Sequence, residues 1–403
     1  MENFVENMKL TEKWAPILEH ASMAPISDQH RKNVTATLLE NQQNDMRKIN
    51  EAGEPANVTA GISKWDPVLI GLVRRAVPQM IAFDIAGVQP MSMPTGLVFA
   101  LRARYTNQTG SEALFNEADT AFGGTGTHPT DGKAINDTAP DTVTEPGKAL
   151  DTAVGEGNIA NQMAVSIEKI SATAGTRTLK AEYSVELAQD MASVHGLDAE
   201  TELSNILATE ILNEVNREFL RTLYNQAVLG GTNGTGKFDM DVDSDGRWSA
   251  EKFKGLHYAI EQDANAIGIS TRRGKGNVLV CSPDVASALS MANVLSYSTL
   301  DTNLNSDWTQ STYVGTIGGR MKVFVDPYIS GNFYMVGYKG NSPFDAGYFY
   351  CPYIPLQMFK ATDQQSFQPK IAFKTRYAMV ANPLFNEGNR KNGYYRITSV
   401  ANI

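Results

Sequence analysis

The stretch from Asp198 to Ala227 constrains the fold most, because it carries a long apolar row that no Gly or Pro interrupts. Apolar side chains recur there at every fourth position: Leu203, Leu207, Ile211, Val215, Phe219, Leu223 and Ala227. That period predicts an α-helix with these residues on its packing side. Asp198 is suited to cap the helix, and Gly230 and Gly231 are expected to stop it. At about 1.5 Å per residue the helix would be roughly 45 Å long.

A step of four residues advances about 400° around a helix axis, so the apolar row drifts around the helix instead of staying on one face. Such a helix contacts different partners along its length. Two interpretations stay open at this point. The stretch is either a core helix of an ordinary α+β domain or a structural spine against which the other segments pack.

The length, net charge, hydropathy and cysteine content of the chain exclude several classes of protein. Its 403 residues are too many for one compact core and predict two or three subdomains. The formal charge of −9 argues against a protein that coats nucleic acid. No apolar run is long enough to span a membrane, and the charged N-terminus is unlike a secretory signal. With only Cys281 and Cys351 there is no disulfide framework, so a reducing cytoplasm is the expected place of synthesis.

The N-terminal residues 2–51 are polar and weakly amphipathic, and short helices are predicted around Trp14 and Leu38. Residues 50–63 then have the Gly, Pro, Asn and Thr composition of a linker. We therefore expect this region to fold weakly. It is either a segment that is removed or a helical arm that lies on a neighbour.

Between Tyr105 and Asn161 the chain loses nearly all of its large aliphatic side chains. This composition predicts a long protruding loop, built as a two-stranded arm with an outgoing strand on the Leu97 side and a return strand at residues 163–179. After the long helix, the pattern predicts helices at 248–269 and 283–294 and strands at 277–281, 320–325, 333–338, 346–350 and 371–380. The predicted fold class is mixed α+β.

Residues 231–237 (GTNGTGK) have the glycine and lysine spacing of a phosphate-binding loop. The following residue is Phe238, where a Ser or Thr would be needed to hold magnesium, and the loop follows a helix instead of a strand. A flexible hinge is therefore the favoured interpretation.

Four residues match the first, third, fifth and sixth positions of a calcium-binding loop: Asp241, Asp243, Asp245 and Gly246. The bidentate Glu that should close such a loop is replaced by Lys252, which favours a solvated acidic turn. No arrangement of nucleophile, base or metal ligands points to an enzyme, so neither catalytic residues nor a cofactor are predicted.

Five segments carry a resemblance to a known family, and they occur in the same order. Residues 72–105 read LVRRAVPQMIAFDIAGVQPMSMPTGLVFALRARY, and residues 179–218 read LKAEYSVELAQDMASVHGLDAETELSNILATEILNEVNRE. The others are 313–328 (YVGTIGGRMKVFVDPY), 336–356 (VGYKGNSPFDAGYFYCPYIPL) and 367–383 (FQPKIAFKTRYAMVANP). Together they resemble the major capsid proteins of T-even-type tailed bacteriophages, which have the Hong Kong ninety-seven capsid fold.

The resemblance implies how the chain is divided. The expected parts are a propeptide that contacts an internal scaffold (1–51), an N-terminal arm (52–96), an extended loop with a small insertion (97–179), a peripheral domain with the spine helix (180–228), an axial domain (229–345), and return strands with the C-terminal segment (346–403). The region between Tyr105 and Met163 is too short for the large inserted domain of the best-known members.

The function implied by the resemblance is structural. Homo-hexamers would tile the icosahedral head of a myovirus together with neighbouring capsomers, enclosing DNA without sequence-specific binding and without contact to a membrane. Implied partners are a vertex protein, the portal, an internal scaffold, a maturation protease, outer decoration proteins and a host chaperonin. Two alternatives are the paralogous vertex protein, which forms pentamers, and a calcium- or nucleotide-binding protein.

The resemblance also implies a cleavage site. The family's maturation protease cuts after a Glu that has Ile or Leu two places before it. Ile49 and Glu51 fit this pattern, small Ala52 follows, and the site lies at the expected start of the linker. The residue triplets ending at Glu19 and Glu40 also fit, but they lie in segments predicted to be helical.

Overall fold

Helices and strands occur in comparable amounts, which confirms the predicted mixed α+β class. The computed structural model describes residues 2–19, 26, 28–53, 80–114, 118–126, 147–156, 161–231, 234–244, 248–297, 312–363, 368–382 and 390–403. The helices within these residues are α1 (Glu2–Leu18), α2 (Gln29–Gly53), α3 (Ala82–Ile85), α4 (Thr152–Gly155), α5 (Val185–Asp190), α6 (Ala199–Gln226), α7 (Ser249–Thr271) and α8 (Pro283–Met291), with a π-helical turn at Met191–His195.

The strands of the described residues form three sheets. They are β1 (Gly87–Val88), β2 (Thr95–Tyr105), β3 (Glu112–Ala113), β4 (Met163–Thr173), β5 (Gly175–Glu182), β6 (Ala227–Leu229), β7 (Lys237–Asp239), β8 (Val278–Cys281), β9 (Leu295–Tyr297), β10 (Thr312–Ile317), β11 (Met321–Val325), β12 (Phe333–Gly337), β13 (Tyr348–Thr362), β14 (Pro369–Ala381) and β15 (Asn392–Ala401). One sheet has the order β1-β13-β14-β5, and a small one has the order β3-β2-β4. The largest has the order β6-β15-β12-β8-β11-β10-β9, with β7 also paired to β15.

The predicted long helix is confirmed as α6, which we call the spine helix. Asp198 caps it by accepting a hydrogen bond from the backbone N–H of Glu200, as expected for a short carboxylate at this position. The helix ends four residues before the predicted stop at Gly230. The helix ends at Gln226 because the next three residues pair in parallel with β15 as strand β6.

The spine helix packs differently along its length, as the drifting row requires. Ile211 and Val215 line the space next to Leu38, and Phe219 stacks against Tyr348 of β13 with ring centroids 5.6 Å apart. Near the C-terminal end, Tyr224 meets Phe333 of β12 edge-on at 5.3 Å. One helix therefore contributes to the cores of two different sheets.

The N-terminal region does not fold weakly, contrary to the expectation from its composition. Helix α1 packs on α2, and buried apolar residues of this hairpin belong to the same core as the spine helix: Trp14, Leu18, Val34, Leu38 and Leu39. The linker does not begin at residue 50 either, because α2 continues through Glu51 and Ala52 to Gly53. Ala and Glu are good helix formers, whereas Gly ends a helix readily. Residues 54–63 lie outside the described part of the chain.

The chain divides into two compact units, one formed by residues 98–170 and the other by residues 1–97 with 171–403. The first unit contains most of β2 and β4, which are neighbours in the small sheet, so the two predicted strands of the arm are present, and β3 adds a third. The predicted return strand 163–179 was too long, because β4 ends at Thr173 and the following strand β5 pairs with β14. In the second unit, α7 and α8 pack on the large sheet around a second core that includes Leu256, Ile260 and Leu279.

We expect Phe219→Ala to lower the free energy of unfolding of the subunit by about 3–5 kcal/mol, because a fully buried ring would be replaced by a cavity. Chemical denaturation of the purified subunit measures this difference. Arg221→Ala, at an exposed position of the same helix, is the matched control and should change stability little. Equal stability of the two variants would contradict the role of Phe219 in the core.

Candidate assembly surfaces

One face of the arm is an ionic ladder. Arg102 of β2 pairs with Glu112 of β3 at 3.2 Å and with Glu168 of β4 at 3.1 Å. Arg104 reaches the same Glu168 at 3.2 Å and donates to the hydroxyl of Ser166 at 2.8 Å. Because side chains alternate across a strand, these contacts show which residues of β2 and β4 share a face.

The opposite face of the arm is apolar and exposed. It carries Phe99 and Leu101 of β2 and Met163, Val165 and Ile167 of β4. Phe99 and Ile167 expose 63% and 67% of their surface. A contiguous apolar surface of this kind on a folded chain marks an interaction site. The alternation of Phe99 and Leu101 with Arg102 and Arg104 is the pattern in the sequence that indicates a two-faced strand.

A second group of exposed apolar side chains lies just before the spine helix and near its N-terminal end. It comprises Val185 and Leu187 of α5, Val194 of the π-helical turn, Leu197, and Ile206 of α6. We call it the α5 patch. Ser184 caps α5 by accepting a hydrogen bond from the N–H of Leu187, which fixes the start of this helix. Nothing in the apolar spacing of this short segment distinguished it beforehand.

The residues predicted to pack the spine helix are placed as follows. Leu207, Ile211, Val215, Phe219 and Leu223 are buried, whereas Leu203 is half-buried. The buried ones all belong to one hydrophobic core.

The spine helix is also held by a buried charge that the sequence did not reveal. Asp326, which follows β11, is fully buried and accepts from Arg217 at 2.6 Å and from the Tyr224 hydroxyl at 2.8 Å. Burial, followed by the charge of Asp326, raises the pKa of Tyr224 well above its usual value. The Arg217 guanidinium also lies 4.9 Å from the ring centre of Tyr328. A buried carboxylate with these partners fixes the helix against the large sheet, since breaking the pair would leave a charge uncompensated.

The predicted cleavage residues lie at the end of α2. Ile49, Glu51 and Ala52 all belong to the last turns of this helix, and their side chains lie outside the described residues. Glu40 lies within α2, where it accepts from Lys13 at 2.6 Å and from the indole N–H of Trp14 at 3.1 Å. Glu19 directly follows α1 and is exposed.

The glycine-rich loop is tied to a carboxylate of the chain itself. The N–H of Gly231 donates to Asp263 of α7, which is 2% exposed and also accepts from Tyr334 and Thr398 at 3.0 Å. A Cβ on Gly230 would come within 2.4 Å of Asp263, so this position requires glycine. The loop connects β6 to β7, two strands that both pair with β15, and the hinge role favoured by the sequence stays a prediction; residues 232–233 lie outside the described part of the chain.

The acidic turn after β7 uses its carboxylates internally. Asp243 accepts from the N–H of Asp239, and Asp239 accepts from the N–H of Asp241. Lys252 forms an ion pair of 2.5 Å with Asp241. Within the described residues no group of His, Cys, Asp or Glu could hold a metal ion, and Asp245 and Gly246 lie outside them.

A cluster of charges surrounds the short helix α3. Arg31 of α2 pairs with Asp84 at 2.9 Å, and Lys322 lies 3.8 Å from the same carboxylate. Lys339 donates to the carbonyl of Phe83. Burial lowers the pKa of Lys339 to about 8, and the Asp84 carboxylate offsets part of this effect. The cluster joins the N-terminal hairpin to the large sheet.

A model of the family described as Major capsid protein Gp23 matches residues 62–400. The chain belongs to this family. It is 40% identical over 399 residues to the major capsid protein of Salmonella phage ViI, a match that covers 93% of this chain and 90% of that protein. This confirms the resemblance derived from the five segments. Members of the family are structural proteins, and the chain is accordingly a component of a phage capsid shell.

Two further relatives, a major capsid protein and a vertex protein, match different shares of the chain. The chain is 31% identical over 477 aligned residues to the major capsid protein of Enterobacteria phage T4, covering 93% of this chain and 91% of that protein. It is 26% identical over 233 residues to the capsid vertex protein of the same phage, covering 54% and 52%. The first alignment is longer than the chain of 403 residues, so the T4 protein has segments without a counterpart here.

Among solved structures, the chain is similar to the capsid protein in the capsid of Myoviridae Phage XM1, with 10% sequence identity and a TM-score of 0.44. That similarity covers 88% of this chain and 97% of the other. Among the described helices, none has both the length and the apolar character needed to cross a membrane.

We expect the stability of the subunit to rise between about pH 8 and pH 9.5 because of Lys339. An unfolded lysine has a pKa near 10.4, so in this range the unfolded chain binds a proton that the folded chain has released, and raising the pH favours folding. Lys339→Met should flatten the rise in thermal unfolding temperature relative to the unmodified chain. Lys237→Met, at an exposed position, should leave it unchanged. An identical pH dependence in all three proteins would contradict the assignment.

Proposed function

We propose that this chain self-assembles as hexamers into the icosahedral head of a tailed phage and that its role is structural, without a catalysed reaction. The observation that carries the proposal is the two-faced arm in a member of the Gp23 family. Its ionic face is satisfied within the chain, whereas its apolar face is exposed. Exposing these side chains to water is unfavourable, so the arm is completed by another subunit.

We propose that the α5 patch of a neighbouring subunit covers the apolar face of the arm. Both surfaces are apolar, and each carries five large exposed side chains. The pairing is heterologous, because the two surfaces differ, and a heterologous contact that closes on itself generates a ring.

The hexameric form is favoured over the pentameric vertex form by the extent of similarity. The major capsid proteins of phages ViI and T4 match over 93% of the chain, whereas the vertex protein of phage T4 matches over 54%. The net charge of −9 supports a shell that encloses DNA without binding it by sequence, since like charges repel.

The proposed division of the chain follows the expected segments: propeptide 1–51, N-terminal arm 52–96, extended loop 97–179, peripheral domain 180–228, axial domain 229–345, and return strands 346–403. The sheet order supports one refinement. Strand β15 of the last segment lies between β6 and β12, so we count it with the axial sheet. Proposed partners are a scaffold, a maturation protease, the portal, a vertex protein, decoration proteins and a host chaperonin, with synthesis in the bacterial cytoplasm.

We further propose that the head matures by a cut between Glu51 and Ala52. The pattern at Ile49 and Glu51 supports this position, and α2 ends two residues beyond Glu51. Helix ends fray readily, so a protease can obtain extended backbone here at a lower cost than at Glu40 inside α2.

The double variant Phe99→Ser and Ile167→Ser should assemble about tenfold less efficiently or worse, because two exposed apolar anchors of the arm are removed. Thermal unfolding of the isolated subunit should hardly change. Electron microscopy of sedimented material measures the yield of shells, sheets and tubes. Leu114→Ser makes a similar change at an exposed arm position outside this face and should assemble normally. Normal assembly of the double variant would refute the proposed interface.

N-terminal sequencing of the shell protein from mature virions should give Ala52 as the first residue. Glu51→Ala should block this cut, whereas Glu19→Ala should leave it unaffected. An intact Met1 or Glu2 in mature virions would overturn the proposed maturation.

A further inference from the structure

The N-terminal hairpin fills an apolar groove in the rest of the subunit. We use "hairpin" for α1 and α2 together, and "hairpin groove" for the surface formed by Phe83, Val88, Ile211, Val215, Tyr350 and Leu356. Leu38 of α2 lies at this surface, and the space left between them has a volume of only about 30 Å³. Val34, Leu38 and Leu39 of α2 are each only 1% exposed, so the rest of the subunit covers the inner side of this helix closely.

Polar contacts fix the register of α2 in the groove. The side-chain amide of Asn41 donates to the carbonyls of Met91 at 2.8 Å and Tyr353 at 3.0 Å. The amide of buried Gln42 donates to the carbonyl of Leu356 at 3.1 Å. Breaking a hydrogen bond in such a buried position leaves a polar group without a partner, which destabilises the docked state.

The other end of α2 is held in the same way. His30 contacts the carbonyl of Val88 at 3.0 Å, and Arg31 pairs with Asp84 while its guanidinium lies 5.2 Å from the ring centre of Phe83. Every partner named here lies after residue 52 in the chain. None of these contacts depends on the peptide bond between Glu51 and Ala52.

The hairpin also holds itself together. Lys13 and Trp14 of α1 both donate to Glu40 of α2, and Lys32 pairs with Glu19 at 3.3 Å. Trp14 and Leu18 are buried in the core that Leu39 shares. A cut at the end of α2 therefore severs the chain without removing any of the contacts that dock the hairpin.

We propose that the hairpin groove is a binding site for the hairpin as a separate polypeptide, so that a cut after Glu51 yields a two-chain complex and not a shortened subunit. This inference rests on the proposed maturation cut. Release of the hairpin then needs a second event, either a cut within the hairpin or a movement of the spine helix against β13. The site takes an amphipathic helix with the apolar and carboxamide pattern of Val34, Leu38, Asn41 and Gln42.

The test uses the full chain with a recognition sequence for a site-specific protease inserted between Glu51 and Ala52. After complete cleavage of purified subunits, gel filtration at micromolar concentration should show residues 1–51 eluting with the rest of the chain in equal amounts. Denaturing electrophoresis of the same fraction shows both pieces. Elution of the hairpin fragment apart from the remainder, whether the remainder stays folded or aggregates, overturns the proposal.

Variants locate the interaction. Asn41→Ala removes two hydrogen bonds and should raise the dissociation constant of the fragment about tenfold or more. Asn44→Ala, at an exposed position of the same helix, should leave it unchanged. Thermal unfolding of each uncut variant verifies that it folds. Equal dissociation constants for the two variants would show that the fragment is held elsewhere and would overturn the proposed site.

The engineered cut separates this inference from the proposed maturation. A fragment that stays bound, with an intact Met1 in virions, would leave the groove established and the maturation cut refuted. A fragment that separates at once, with Ala52 at the N-terminus of the virion protein, would establish the maturation cut and refute the groove as a binding site.

Discussion

The structure depends on burial of the drifting apolar row of the spine helix. Its middle packs against Tyr348 and Tyr350 of the four-stranded sheet, and its C-terminal end reaches Phe333 of the large sheet. A helix with a straight apolar stripe would serve one sheet only. The four-residue step rotates the contact surface so that a single rigid element joins the N-terminal hairpin and both sheets in one core.

Buried carboxylates fix the orientation of helices on the large sheet, which apolar packing alone leaves undetermined. Asp326 binds Arg217 and Tyr224 of the spine helix, and Asp263 joins the glycine loop to β12 and β15 through Tyr334 and Thr398. Apolar packing has no direction, whereas a desolvated carboxylate requires donors at defined positions. These groups fix how helices sit on the large sheet. They belong to the architecture of the subunit.

The surfaces that remain apolar and exposed define the subunit as one part of a larger assembly. The arm satisfies its charges internally and leaves Phe99 and Ile167 in solvent, while the α5 patch does the same with Val185 and Val194. The N-terminal hairpin is the opposite case. Its outer side is polar, and its inner side supplies Leu38 and Leu39 to the core, so it stabilises the subunit that it belongs to.

The sequence by itself determined the features that follow from local periodicity. The four-residue row and Asp198 define the spine helix and its cap, and the loss of aliphatic residues after Tyr105 defines the arm. Five segments were sufficient to identify the family. The tertiary structure decided the features that depend on distant partners. The end of the spine helix is set by pairing of Ala227 with β15. Helices α1 and α2 are stabilised by the buried contacts that they make with the rest of the core. The buried negative charge of Asp326 is balanced by Arg217, which lies more than one hundred positions earlier in the chain. Polar composition made residues 2–51 look weakly folded, because composition counts side chains without showing which of them share a buried face.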